Sequence, residues 1–243
     1  MKLEETLNGG YPALFGEITE KDVHHLRDVE DIVSINDPNE VHEPGHKRGF
    51  DFTPDVIFDL GANIGIFSRY ARTLFPNATV IAVEPHDGNC EIFRRFTNDE
   101  NIILLKRAIG EGEIYDCGGG PNGAHQVYVS ASPAYPKEEI DRDLKRTGIA
   151  AMMLDELLQF IDDGLLCILK MDIEGNEVSV FNHRPSMEFL KRMDYFVIEL
   201  HYYSHDASQQ EIAKEIINNA LVEFEETHYI DRWRDYLYAT KKK

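Results

Sequence analysis

The residues that first invite a chemical reading are a glycine turn and an acid downstream of it. The strand-like run Val56-Ile57-Phe58 leads into Asp59-Leu60-Gly61-Ala62-Asn63-Ile64-Gly65, and a helical pattern begins near Phe67. A strand, a tight turn and a helix N-terminus in succession make a cofactor crevice at the carboxyl edge of a parallel sheet. Gly61 and Gly65 permit close approach of the backbone to a ligand, and Asn63 tolerates positive φ better than most residues. The next strand-like run ends Val80-Ile81-Ala82-Val83-Glu84, placing an acid 23 positions after Gly61. There a carboxylate can accept hydrogen bonds from both hydroxyls of a ribose, which implies an adenosine-containing cofactor. A dinucleotide turn would read G-x-G-x-x-G, but counted from Gly61 the later glycine positions hold Asn63 and Ile66, so a nicotinamide dehydrogenase is disfavoured. Taken singly, Asp59 also reads as a turn carboxylate and Glu84 as a solvated strand end.

The block D-x-G-x-N-x-G followed by Val83-Glu84-Pro85 resembles the first two motifs of class I S-adenosylmethionine-dependent methyltransferases, and the FkbM family in particular. Three later blocks, in the same order as in that family, are similar to its LDEL, K-x-D-x-E-G-x-E and E-x-H segments. They are Met153 to Leu158, Leu169-Lys170-Met171-Asp172-Ile173-Glu174-Gly175-Asn176-Glu177, and Val197-Ile198-Glu199-Leu200-His201. The likeness runs from about Thr53 to His201, and its D-I-E-G block is the most specific part. It implies a Rossmann-like α/β fold: a seven-stranded, mostly parallel sheet with helices on both faces and an antiparallel last strand. It also implies S-adenosylmethionine as cofactor and methylation of a hydroxyl oxygen on a sugar or secondary metabolite. Carried over, it gives Asp59, Gly61, Ala62, Asn63 and Gly65 to the methionine end of the cofactor, Glu84 to its ribose, and Ala108, between Arg107 and Ile109, to its adenine.

In such a topology the strand Leu166 to Met171 delivers Asp172, and the strand Tyr195 to Leu200 delivers Glu199 and His201 beside it. Side chains one residue apart on a strand share a face, so Glu199 and His201 can converge on one point. Methyl transfer from a sulfonium is an in-line displacement that profits from positioning and from a general base, and either His201 or Asp172 could take the hydroxyl proton. Alternatively, Asp172, Glu199 and His201 would supply oxygen and nitrogen ligands to Mg²⁺ or another divalent ion that orients and acidifies the hydroxyl. Lys170 joins the catalytic candidates as a cation two residues before Asp172, with a plain ion pair as the competing reading. Glu174 and Glu177 flank Gly175, where carboxylates near a helix N-terminus are favourable on their own account. N-methylation of a small amine needs the same cofactor site, and a non-catalytic cofactor-binding module would follow if Asp172 and His201 faced the core.

The elements that must hold these groups alternate in βαβ fashion from Thr53 onward, which implies a parallel sheet covered on both faces. Strand-like and helical runs fall at Val56 to Leu60, Phe67 to Leu74, Thr79 to Val83, Cys90 to Phe96 and Ile102 to Ile109. They resume with a helix Leu154 to Ile161, the strand Leu166 to Met171, a segment near Phe189, the strand Tyr195 to Leu200, a helix Ser208 to Ala220, and late strands Val222 to His228 and Tyr236 to Thr240. Residues 1–52 read as an N-terminal extension of helix and loop over the active site. Residues 53–243 read as the methyltransferase domain, with an insertion at about 111–147 whose tip is Gly118 to Gly123 and which would act as a substrate lid. His24, His25, His42 and His46 match no ligand spacing. Tyr202, Tyr203 and His205 could wall an acceptor pocket, and Trp233 has no claim beyond packing.

Composition narrows the partners. The 243 residues hold 44 Asp plus Glu against 25 Lys plus Arg, a net charge of −19, which repels phosphate backbones and argues against nucleic acid. No apolar run approaches membrane-spanning length, and Glu4 and Glu5 stand where a signal peptide would be basic, so no membrane partner is expected. Cys90, Cys117 and Cys167 are odd in number and lack C-x-x-C spacing, which fits a reducing cytoplasm. A small-molecule acceptor, glycosylated in one reading, is the expected partner, and neither its identity nor the oligomeric state can be read from these residues.

Overall fold

The computed structural model describes residues 50–119, 125–129, 145–201, 207–233 and 235–242. The N-terminal helix and histidines, Tyr202, Tyr203 and His205, and most of the insertion lie outside these residues, as does the Trp233 side chain.

The main sheet is built from β1 (Val56–Leu60), β2 (Thr79–Val83), β3 (Ile102–Leu105), β9 (Cys167–Met171), β10 (Tyr195–Glu199), β11 (His228–Trp233) and β12 (Tyr236–Lys241). Its order is β11-β12-β10-β9-β1-β2-β3. β1, β2, β3, β9 and β10 pair in parallel, and β12 runs antiparallel to both β10 and β11. This is the expected seven-stranded sheet with an antiparallel last strand. β1 and β9 are buried along their whole length, which is why VIFDL and CILKM are nearly unbroken apolar runs rather than alternating ones. Each buries a charged residue, Asp59 in β1 and Lys170 in β9, paired side by side in the register.

Helices α1 (Ile66–Leu74), α2 (Asp87–Phe96), α3 (Glu177–Asn182), α4 (Arg184–Arg192) and α5 (Ala207–Phe224) cover the sheet. On one face Phe58, Leu60, Leu169 and Phe196 pack against Val180, Phe189, Ile217 and Phe224. On the other, Ile57, Val80, Ile168 and Tyr195 pack against Phe67 and Ala71 of α1, with Phe50 and Phe52 closing the edge.

Several element boundaries differ from the expectation. The run Ile102 to Ile109 is two pieces: β3 stops at Leu105, and β4 (Ala108–Ile109) leaves the sheet to pair in parallel with β8 (Ala151–Met152). Residues near Val222 are helical, because the buried positions Ala213, Ile217, Ala220 and Phe224 continue one helical stripe and leave Val222 on the outer side at 66% exposure. The next strand therefore starts at His228. Leu154–Phe160 is a 3-10 helix, and the segment around Phe189 is α4. In the stretch expected as an insertion, β5 (Ile114–Gly119) pairs antiparallel with β6 (His125–Val129), with Gly118 and Gly119 in the strand, and β7 (Lys145–Arg146) pairs antiparallel with β5 as well.

Candidate active site

The glycine turn is pinned to the end of β2. The Gly61 and Ala62 N–H groups both donate to the Val83 carbonyl at 3.0 Å, and the Asn63 N–H donates to Glu84 Oε2 at 2.8 Å. Asn63 adopts φ 49°, within the left-handed region its side chain tolerates. Glu84 is 4% exposed, and its Oε1 accepts from the His86 N–H at 2.8 Å and Asn89 Nδ2 at 3.2 Å. Burial pushes the Glu84 carboxyl up against the opposing pull of those hydrogen bonds. Of the roughly four acceptor positions on a carboxylate, three are filled by these groups, and the remaining one is on Oε2.

The two glycines are required by protein neighbours. A Cβ on Gly61 would lie 1.7 Å from the Asp172 carbonyl oxygen, and one on Gly65 would lie 2.5 Å from the Phe93 ring. Both have positive φ, 79° and 85°. The close approach predicted for a ligand is thus made at Gly61 by the chain leaving β9, where the Asp172 N–H also donates to the Leu60 carbonyl at 3.0 Å.

Asp59 is wholly buried. Its Oδ2 accepts from Ser68 Oγ at 2.5 Å, and its Oδ1, without a hydrogen bond among the described residues, stands 3.7 Å from Lys170 Nζ. Desolvation raises its carboxyl, with Lys170 pulling the other way. Lys170 Nζ donates to the Gly61 carbonyl at 3.0 Å and lies 3.7 Å from Asp172 Oδ2. Asp59 thus lies wholly buried beside Lys170, below the turn to which the resemblance assigns it.

Above these groups a cleft opens at the carboxyl edge of the strands. Its lining includes Gly61 to Ile64 from the turn after β1, Glu84 after β2 with Asn89 and Arg107 to Ile109, and Lys170, Asp172, Glu174 and Asn176 from β9 and the loop beyond it; in the strand order β9 and β2 lie on either side of β1. Of the expected cofactor contacts, Gly61, Ala62, Asn63, Glu84 and Ala108 line this cleft, whereas Asp59 and Gly65 do not.

Beside Asp172 lies a knot of charge. His201 Nδ1 donates to Glu177 Oε1 at 3.2 Å, while its Nε2 sits 3.6 Å from Glu199, 3.9 Å from Asp172 and 4.0 Å from Glu174. Burial alone would push the imidazolium pKa down, but the Glu177 hydrogen bond and the surrounding carboxylates outweigh it and raise it to about 10. That environment favours the protonated ring, which opposes proton uptake by His201. Glu199 and His201 do not line the cleft and connect to it through Asp172. Asp172, Glu199 and His201 each offer one ligand atom within 4.8 Å of the others, which suits a divalent ion by distance.

Glu177, read from sequence as a helix-terminus acid, is the organiser of this region. Fully buried, it accepts from the Ile173 N–H at 3.1 Å and the Gly175 N–H at 3.0 Å as well as from His201. Positive φ at Glu174 (56°) and Gly175 (100°) curls the loop around its carboxylate. Asn89 and Asn176 are the wall residues that sequence reasoning passed over. Asn89 carries no motif signal, and Asn176 occupies the open x position of K-x-D-x-E-G-x-E.

No curated protein matches the chain. Among solved structures, it is similar to the FkbM methyltransferase of Methylobacillus flagellatus KT, with 19% identity over 98% of this chain and 60% of that one and a TM-score of 0.49. It is also similar to human N-acetylserotonin methyltransferase in complex with S-adenosylmethionine, with 10% identity over 97% and 60% and a TM-score of 0.39. A Podospora anserina methyltransferase bound to S-adenosylhomocysteine aligns at 8% identity over 100% and 98%, with a TM-score of 0.45. The chain spans about three fifths of the length of the first two. The sequence profile described as the methyltransferase FkbM domain matches residues 59–242. That match starts at Asp59 and takes in the pinned glycine turn, Glu84, the loop around Glu177 and the closing antiparallel strands, so the chain belongs to the FkbM methyltransferase family.

Proposed function

We propose that this protein transfers the methyl group of S-adenosylmethionine to a hydroxyl oxygen of a small acceptor, a sugar or a secondary metabolite. The observation that carries the reading is the cleft itself, lined by a buried carboxylate, Glu84, after β2 and by Asp172 after β9, strands that lie on either side of β1 and its glycine turn. Glu84 would hold one ribose hydroxyl on Oε2, and Arg107 to Ile109 would flank the adenine. With the nucleoside so placed, the amino-acid and sulfonium end lies toward Lys170 and Asp172. When bound, S-adenosylmethionine supplies an electrophilic methyl group whose carbon–sulfur bond breaks as the new carbon–oxygen bond forms.

Asp172, which faces the cleft, accepts the acceptor's hydroxyl proton in that step, and Lys170 and the His201 imidazolium flank it at 3.7 and 3.9 Å. Should a divalent ion take part, Asp172, Glu199 and His201 Nε2 would be its donors. Glu177 on Nδ1 orients the ring for that role, and the ion would acidify the bound hydroxyl.

Two measurements test this. Calorimetric titration should show S-adenosylhomocysteine binding and no binding of NAD. Labelled methyl transfer from S-adenosylmethionine to a panel of monosaccharides and glycosylated phenols should then fall by about 10²-fold or more in Asp172→Asn, with S-adenosylhomocysteine affinity held. Binding of NAD alone would refute the proposal.

A further inference from the structure

Glu84 can accept less than a ribose has to give. A vicinal diol brings two O–H donors, and each needs an acceptor once a cleft has taken it out of water. Glu84 Oε1 is filled by the His86 N–H and by Asn89 Nδ2, and Oε2 receives the Asn63 N–H, which leaves one position on Oε2. A second acceptor stands beside it. Asn89, in the first turn of α2, lines the same cleft and is 7% exposed. Its Nδ2 bond to Glu84 at 3.2 Å fixes the direction of the amide, since a carboxylate oxygen can only accept. Asn89 Oδ1, the other branch of that amide, makes no hydrogen bond among the described residues and is not one of their sealed, unpaired oxygens. It thus keeps accessible surface on a residue of the cleft lining, one amide's width from the atom that touches Glu84.

We infer that the Asn89 side-chain oxygen accepts a hydrogen bond from one ribose hydroxyl of the bound cofactor while Glu84 Oε2 accepts from the other. The inference rests on the S-adenosylmethionine reading above and adds a residue to it. The two branches of the Asn89 amide then have separate duties, Nδ2 holding the Glu84 carboxylate and Oδ1 meeting the sugar. A cofactor that lacks either hydroxyl leaves one acceptor of the pair without its donor, so the site selects a ribonucleoside over both deoxynucleosides.

The test uses the full chain and three probes in calorimetric titration: S-adenosylhomocysteine and its 2′-deoxy and 3′-deoxy analogues. In the wild type both analogues should bind about three- to tenfold more weakly than the parent, the worth of one hydrogen bond each. A deoxy analogue that binds as tightly as the parent would overturn the inference, because Glu84 would then serve alone. Asn89→Leu keeps the size and removes the oxygen. We expect it to weaken S-adenosylhomocysteine by about threefold or more, and to erase the penalty for one missing hydroxyl while the penalty for the other stays. Equal weakening of all three probes would overturn the inference in favour of a role confined to holding Glu84, and wild-type affinities throughout would remove Asn89 from the site. If Asn89→Leu fails to fold in a ligand-free melt, Asn89→Ala carries the same comparison, and the wild-type measurement stands without either. Wild-type protein that binds none of the probes would overturn the cofactor reading and the inference together. Binding of S-adenosylhomocysteine with no response to one of the missing hydroxyls would remove the inference alone.

Discussion

Gly61→Ala separates the two reasons a turn can require glycine. Adding a Cβ in a left-handed conformation costs an alanine about 1–2 kcal/mol wherever it occurs. At Gly61 that Cβ would also sit 1.7 Å from the Asp172 carbonyl oxygen, against an ordinary contact of 3.4–4 Å, and the obstacle is backbone. Relief requires the exits of β1 and β9 to part by about 1.5 Å or more, which strains or breaks the Asp172 N–H to Leu60 bond and the Lys170 Nζ to Gly61 bond. One neutral and one charge-assisted hydrogen bond together are worth about 2–4 kcal/mol. The expected total is therefore about 3–6 kcal/mol, a large share of a typical domain's stability. Gly164→Ala is the control: it has φ 90° and nothing within 4 Å of an added Cβ, so it should show only the conformational cost. Urea unfolding measures both variants, and S-adenosylhomocysteine titration measures whatever Gly61→Ala protein remains folded. If Gly61→Ala costs no more than Gly164→Ala, the close packing of the turn on Asp172 is not what demands the glycine, and the reasoning fails.

Glu84→Gln should cost about 1–3 kcal/mol of stability, because the amide NH₂ must confront either the Asn63 or the His86 N–H, each now satisfied at 2.8 Å. It should also weaken S-adenosylhomocysteine by roughly tenfold, and wild-type values in calorimetry and thermal melts would remove Glu84 from the site. For His201 the folded pKa of about 10 lies above the ordinary 6.5, so its contribution is fully present below about pH 6.5 and is lost as pH rises through 10. In chelator-treated protein, stability should decline by a few kcal/mol between pH 7 and 10, and His201→Gln should flatten that segment; parallel profiles would contradict the charge assignment. Dialysis against EDTA should slow methyl transfer tenfold or more, with recovery on adding Mg²⁺, if Asp172, Glu199 and His201 hold an ion, and unaltered turnover removes the ion.

What could be read in advance followed from local pattern. β1, β2 and β9 announce themselves as apolar runs with turn residues beyond them, and a residue at the carboxyl end of such a strand has one place to go, so Glu84 and Asp172 were locatable as cleft residues. What escaped depends on partners distant in the chain or on unusual backbone. Ala108 was placed by resemblance alone, and the departure of β4 from the sheet to pair with Ala151 has no trace in the residues around Ala108. Glu177 looks like any first-turn acid until Glu174 and Gly175 take positive φ and bring N–H groups to its carboxylate. The charge gathered around His201 escaped because its own neighbours in sequence carry one acid, Glu199, whereas Asp172, Glu174 and Glu177 arrive from the chain after β9.

The glycine turn holds the sharper lesson about motifs. Spacing reveals where a side chain is forbidden and leaves open what occupies its room. At Gly61 the occupant is the carbonyl of Asp172, so two motifs far apart in the chain form one joint, with Lys170 tied from β9 to the Gly61 carbonyl and Asp59 beneath it. A change that loosens that joint moves the Asp172 carboxylate relative to the turn and to Glu84, which holds the turn through Asn63. Variants in the turn should therefore disturb methyl transfer and cofactor binding together, whereas Asp172→Asn, which leaves the joint's backbone contacts in place, should separate the two.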